Sequence, residues 1–216
     1  MVRINQRNRP TTNSRAFTLI ELLVVTAIIT VVSSVVLVSN NRFGGVVQLQ
    51  NLAYDIALSI RQAQVYGISV QRFGSNCSEP GSACFESGYG MHFLKNDPQH
   101  YELFADVDQD GLYVVGENVP PSPYTISGGF RIIDLCAPEG TSWALCKDAS
   151  PATQLDIVFK RPEPGAWISA NGVACTYGAG ICADSARIVL TSPRGDVMSV
   201  LVEANGQISV KKESSQ

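Results

Sequence analysis

The chain has 216 residues, 45% apolar and only 16% charged, which is enough to bury one globular core, leaves room for a membrane segment, and excludes a disordered or fibrous protein. Net charge is −3, but the first sixteen residues hold Arg3, Arg7, Arg9 and Arg15 and no acid, so removing those four positive charges leaves −7 on the remainder. An acidic bulk argues against tight nucleic-acid binding, whose affinity comes largely from Lys and Arg set against phosphates.

Residues 17–38, FTLIELLVVTAIITVVSSVVLV, follow the basic segment as an apolar run interrupted by one charge, Glu21. At ~1.5 Å per residue such a helix is long enough to cross a bilayer core. The arginines on its N-terminal side place that end in the cytoplasm and the C-terminal bulk outside it. A secretory signal peptide would have a shorter apolar stretch and a small-residue cleavage site after it, so this segment is expected to be retained. Glu21 demands a reason, because an ionised carboxylate in mid-bilayer costs roughly 2.5–3.5 kcal/mol unless it finds a partner.

At this point the sequence resembles the type IV prepilin family. The features are a short basic leader, a small residue before the cut (Ala16, where the family usually has Gly), and then Phe-Thr-Leu-Ile-Glu-Leu-Leu-Val-Val from Phe17 to Val25. The resemblance implies that a prepilin peptidase and N-methyltransferase cuts between Ala16 and Phe17 and methylates the new amine. Glu21 then becomes the fifth residue of the mature chain. In a low-dielectric bundle of helices, the Phe17 amine of one subunit and the Glu21 carboxylate of a neighbour would satisfy each other. The implied partners are other pilin or pseudopilin subunits through the first helix, the inner-membrane assembly platform and membrane lipid. A plain signal anchor with a chance FTLIE string is the competing reading.

Past the membrane segment, Leu49, Ala53, Ile56, Ile60, Ala63, Gly67 and Val70 step by alternating four and three residues, one apolar stripe of a continuing helix. Gln48, Asn51, Asp55, Ser59, Arg61 and Gln62 form the predicted polar side. Asn40-Asn41-Arg42 and Gly44-Gly45 lie between the two halves, and Gly costs ~1 kcal/mol against Ala inside a helix, so a hinge or kink is expected there.

Beyond residue 85 the pattern changes to short strands separated by Gly, Pro, Asn and Asp: Tyr89–Lys95, Tyr101–Ala105, Leu112–Val115, Tyr124–Ile133, Leu155–Phe159, Arg187–Thr191, Val197–Glu203 and Gln207–Val210. Ala204-Asn205-Gly206 joins the last two as a hairpin. The expected fold is α+β and pilin-like, one long N-terminal helix packed on an antiparallel head of two sheets. The expected divisions are a leader at 1–16, the membrane and assembly half of the helix at 17–38, its amphipathic half at 39–72, a disulfide-bearing β head at 73–211 and a tail at 212–216.

The VFKRPEPGAWIS segment and the closing RIVLTSPRGDVMSVLVEANGQISV are similar to the GspH/FimT branch of pilin-like proteins. Some DNA-uptake members of that branch carry an Arg-rich motif after the hairpin glycine. This chain has Gln207 to Lys212 there and no arginine.

Six cysteines fall as Cys77/Cys84, Cys136/Cys146 and Cys175/Cys182, spacings too wide for paired zinc ligands. Outside the cytoplasm they read as disulfides. Fifteen pairings are open to six cysteines. Sequential pairing is expected because each bridge closes a short loop, with crossed or partly reduced cysteines as the alternative.

Asp106-Val107-Asp108-Gln109-Asp110-Gly111, five further residues and Glu117 fulfil the pattern D-x-D-x-D-G-x5-E. Carboxylates of Asp106, Asp108 and Asp110, the carbonyl of Leu112 and a bidentate Glu117 would supply the oxygen ligands that Ca²⁺ prefers. The competing reading is an acidic Asp-Gly turn with no ion. No other cofactor is indicated. His92 and His100 are isolated, expected on the surface or on strands, and no nucleophile elbow or zinc-protease motif is present, so the chain is read as a non-enzyme. Trp143 and Trp167 are read as packing residues. The functional expectation is a structural subunit, minor or priming, of a type IV pilus or type II secretion pseudopilus, anchored once in the inner membrane with its head outside the cytoplasm. The alternative is a DNA-binding pilin for uptake, which the acidic bulk disfavours.

Overall fold

A computed structural model describes residues 17–69, 71–74, 85–137, 152–176 and 182–213, with the backbone alone for 38–43. The architecture is the expected α+β, pilin-like one. A single helix, α1 (Leu19–Ile68), precedes nine strands. It divides between two compact units, one ending at Phe43 and one beginning at Gly44. Helical backbone runs through Gly44-Gly45 without a break, so the expected hinge is not a gap in secondary structure.

In the second unit β1 (Gly88–Leu94), β2 (His100–Asp106), β3 (Tyr124–Thr125), β5 (Gln154–Phe159) and β6 (Ala166–Ala170) make a five-stranded antiparallel sheet in the order β3-β2-β1-β5-β6. A second sheet has the order β4-β7-β8-β9, from β4 (Arg131–Cys136), β7 (Ser185–Thr191), β8 (Val197–Glu203) and β9 (Ile208–Lys212).

The helix contributes Leu49, Ala53, Ile56, Ile60 and Ala63, each 0% exposed, to one core with the inner faces of both sheets. This is the stripe read from the sequence as far as Gly67; Val70 lies outside the described residues. Burying each Leu or Ile contributes about 1.5–3 kcal/mol, so this stripe is what holds the helix to the strands. Register explains the inner face of the first sheet: Met91 stands opposite Leu103 and Ile157, and Phe93 opposite Tyr101 and Leu155.

Several expectations change. Ser59 is buried, not solvated, and its hydroxyl bonds the Asp55 carbonyl at 3.0 Å with Tyr101 Oη 3.4 Å away. Residues 112–115 are irregular rather than a strand. The predicted strand Tyr124–Ile133 is split by Gly128 and Gly129, both in the left-handed region, so that β3 and β4 belong to different sheets. β6 was not foreseen at all.

The C-terminal end of α1 approaches backbone closely. A Cβ on Gly67 would lie 2.1 Å from the Phe159 carbonyl oxygen, and one on Gly206 would lie 2.1 Å from the Pro164 oxygen. Buried Gln64 exploits this approach: its Nε2 donates to the Pro164 oxygen at 2.8 Å and to the Gly206 oxygen at 3.1 Å, and its Oε1 accepts from Arg61. One side chain thus ties the helix to the β5–β6 turn and the β8–β9 hairpin. Replacing Gln64 by Leu removes both donors and should cost roughly 1–3 kcal/mol in urea unfolding of the full chain. Gly206→Ala should cost at least as much, and losses below about 0.5 kcal/mol in both variants would show that the contact is dispensable.

Candidate functional site

Two regions carry the chemistry singled out in the sequence. The first is the start of α1. Thr18 caps it: Thr18 Oγ1 accepts from the Glu21 amide at 3.3 Å, and the Thr18 carbonyl accepts from the Glu21 and Leu22 amides at 3.1 Å each. Thr18-Leu19-Ile20-Glu21 therefore has the spacing of a capping box, which puts the acid in the first turn, where the partial positive end of the helix favours a negative charge. The sequence reading missed this local reason for Glu21.

Leu19–Leu37 is the one span among the described residues long and apolar enough to cross a membrane, and no part of it is buried within the chain. Phe17 is 77% exposed and Leu19 81% exposed. Three of the four hydroxyls between them and residue 37 bond within the helix: Thr26, Thr30 and Ser34 donate to the carbonyls of Leu23, Ala27 and Val31 at 2.8–3.0 Å. A helix that satisfies its own polar groups is compatible with lipid or with other helices.

Residues 11–37 match the family described as the prokaryotic N-terminal methylation motif. The match supports a type IV prepilin-like protein. It implies processing by a prepilin peptidase and assembly with other pilin subunits, fits a single-pass membrane anchor, and points to a structural protein rather than an enzyme. No curated protein and no solved structure matches the chain.

The second region is the acidic loop between β2 and residue 119. It is closed at its base by the Ala105 amide on the Glu117 carbonyl, 2.9 Å, and the Val119 amide on the Leu103 carbonyl, 2.8 Å. One carboxylate oxygen each of Asp106, Asp108 and Asp110 fall within 4.8 Å of one another. Three such oxygens form part of a shell for a hard divalent cation. The expected fourth carboxylate is employed differently. Glu117 is buried, and its two oxygens accept from the Val107 and Val114 amides, each at 3.0 Å, so it cross-braces the loop. Leu112 enters through its amide, which donates to Asp110 Oδ1 at 2.8 Å.

The loop is held down from two sides. Ser169 Oγ donates to the Gly111 carbonyl at 2.9 Å and accepts from the Cys175 amide at 2.8 Å, next to the Cys175–Cys182 disulfide. That bridge is the sequential pairing expected. Cys136 is also disulfide-bonded, while Cys77, Cys84, Cys146 and Trp143 lie outside the described residues. On the other side Tyr113 lies over His92, ring centroids 4.5 Å apart, and over Phe104 at 5.5 Å.

His92 is not the surface residue that its isolation suggested, although it does lie on a strand. It is 5% exposed on β1, and its Nδ1 is 2.5 Å from Oδ1 of Asp156, its register partner on β5, while Gln154 donates to Oδ2 at 2.7 Å. His100 is half-buried at the start of β2 beside Asp97, 2.7 Å away. Sequence spacing could not pair His92 with Asp156, because the contact exists only through the sheet register.

Burial pushes Asp106 up to about 6; the Gly111 amide opposes the shift, and the neighbouring acids Asp110, Glu117 and Asp108 add to it. Burial likewise raises Glu117 against the pull of its two amides. A carboxyl raised on folding binds more protons folded than unfolded, so its contribution is fully present below the unfolded value near 3.8 and is lost as pH rises through about 6. In chelator, the melting temperature should therefore carry a component that falls between those limits and disappears in Asp106→Asn. An unchanged pH profile in that variant would remove Asp106 from the account.

Proposed function

We propose that this chain is a structural subunit, minor or priming, of a type IV pilus or of a type II secretion pseudopilus. It is made as a prepilin, cut between Ala16 and Phe17, methylated on Phe17 and assembled through α1, with its head outside the cytoplasm. The observation that carries this reading is the coincidence of the methylation-motif match at residues 11–37 with an exposed apolar helix beginning just after the proposed cut. Glu21, capped into the first helical turn, supplies the one charge in that span that a neighbour's Phe17 amine can neutralise.

Mass spectrometry of the protein from its host should find methylated Phe17 as the N-terminus, and an intact leader in the mature pool would refute processing. Glu21→Leu should enter filaments far less well than the parent; equal incorporation would dissociate this residue from assembly. For the DNA-binding alternative, a gel shift of the full chain in detergent against salt is decisive. No retardation is expected near physiological ionic strength, because residues 73–216 carry nine Lys and Arg against seventeen Asp and Glu.

Within this reading the loop from Asp106 to Glu117 is the candidate Ca²⁺ brace of the head, supported by its three converging carboxylates and weakened by Glu117's commitment to backbone amides. Melting temperature should then rise with free Ca²⁺, and Asp108→Asn should abolish the rise. A flat response at millimolar Ca²⁺ leaves an ion-free turn.

A further inference from the structure

The outer face of the five-stranded sheet holds a cavity of about 540 Å³, which shares Asp106 with the aspartate cluster and has no part in the proposed filament assembly. Its size falls within the range of roughly 300–1,000 Å³ typical of small-molecule sites. Two register partners, Val158 on β5 and Trp167 on β6, contribute apolar surface. Asp106 and Gln109 of the acidic loop line it as well, as do Lys160, Arg161 and Glu163 of the β5–β6 turn. Lys160 Nζ donates to Gln109 Oε1 at 2.5 Å and ties loop to turn. The Arg161 guanidinium donates to the Phe85 carbonyl, which fixes it in place.

The chemistry of this lining narrows the ligand. Two carboxylates, Asp106 and Glu163, balance two cations, Lys160 and Arg161, so neither an anion nor a cation is selected. A purely apolar ligand would strip water from four charged groups and return nothing, which is costly. A fitting ligand is neutral, has one apolar face for the indole, and carries many groups that both donate and accept hydrogen bonds, since bonds to charged partners are the stronger ones. A sugar ring in its neutral form has all three properties: C–H groups on one face and hydroxyls round the edge. We infer that this cavity is a binding site for a neutral saccharide, with Trp167 as the platform and Asp106, Lys160 and Glu163 as hydroxyl partners.

Saturation-transfer NMR on the full chain, in a detergent without a sugar headgroup, tests the inference with glucose, galactose, N-acetylglucosamine and cellobiose as probes. Saturable transfer to ring C–H protons of at least one probe is expected. Trp167→Leu, which keeps an apolar side chain but removes the π face, should weaken it by more than about tenfold. Lys160→Met and Glu163→Gln change side chains at the edge of the cavity and keep the test valid if the Trp167 variant does not fold; each should weaken binding while the chain still unfolds cooperatively, and Glu163→Gln should leave the melting temperature unchanged. The inference is overturned if no probe binds at tens of millimolar, if Lys160→Met and Glu163→Gln bind as the parent does, or if only glycylglycine or sulfate, added as zwitterion and anion controls, saturates the site.

Discussion

The head is organised round the close approach of one helix end to two carbonyls. Gln64 can donate to both Pro164 and Gly206 only because Gly206 has no side chain, and a Cβ there would stand 2.6 Å from the Gln64 nitrogen. Those carbonyls belong to turns of different sheets, so one amide fixes the relative placement of the β5–β6 turn, the β8–β9 hairpin and the helix. Nearby, Gly67 lets β5 run against the helix, and its carbonyl accepts from the Arg161 amide at 3.1 Å. The apolar stripe supplies most of the burial, but it is non-directional. Directional bonds to buried carbonyls set the register in which that burial occurs.

α1 meets two different solvents along its length, and its composition follows them. From residue 19 to 37 the side chains are apolar apart from Glu21, Ser33 and the self-bonded Thr26, Thr30 and Ser34, and each is exposed within the chain. Such a surface is untenable in water and is at home in lipid or against identical helices, where association rests on packing rather than on the hydrophobic effect. From Leu49 onward the sheets cover the stripe of Leu49, Ala53, Ile56, Ile60 and Ala63 while Tyr54, Leu58 and Val65 stay exposed, and Gln64 lies on the buried side. Glu21 is the one charge of the first half, and Gln64 joins Ser59 as a buried polar residue of the second. Gln64 is answered inside the chain, and Glu21 is answered there only by its backbone cap.

What could be read from the sequence followed physical periodicity. The helical stripe, β8 and the final hairpin depend on local spacing, and those were legible; the 3.6 and 2.0 repeats are properties of neighbouring residues. The errors arose where the deciding contact is distant. Ser59 falls on the polar side by spacing, yet Tyr101 from β2 covers it. β6, Ala-Trp-Ile-Ser-Ala, has small residues at both ends and shows little alternation, and it is a strand because β5 pairs with it over five residues. Leu112–Val115 has strand-like composition, but the Glu117 carboxylate captures the Val114 amide and bends the segment into the loop. For the acidic loop the sequence reading grouped Asp106, Asp108 and Asp110, which the fold places close together, and gave Glu117 a metal-facing role, whereas its oxygens accept from backbone amides.

The same long-range logic explains why the outer face of the five-stranded sheet is polar beneath a cover. An antiparallel sheet with one wet face should alternate apolar and polar residues, and β1 does so, with Met91 and Phe93 inward and His92 outward. His92, Glu102 and Asp156 then form a cross-strand row that solvent would ordinarily hydrate. Here the loop after β2 folds back over it: Tyr113 stacks on His92, and Asn118 takes the Tyr113 hydroxyl at 2.8 Å while donating to Glu102 at 2.6 Å. Each buried polar group in the row is answered by a strand neighbour or by the cover. Removing one member would leave another unpaired, the costly condition for a buried network. The loop is therefore fixed by the sheet beneath it as well as by its own carboxylates. Asp106 ends β2, begins the loop and lines the cavity, so one buried side chain belongs to all three places.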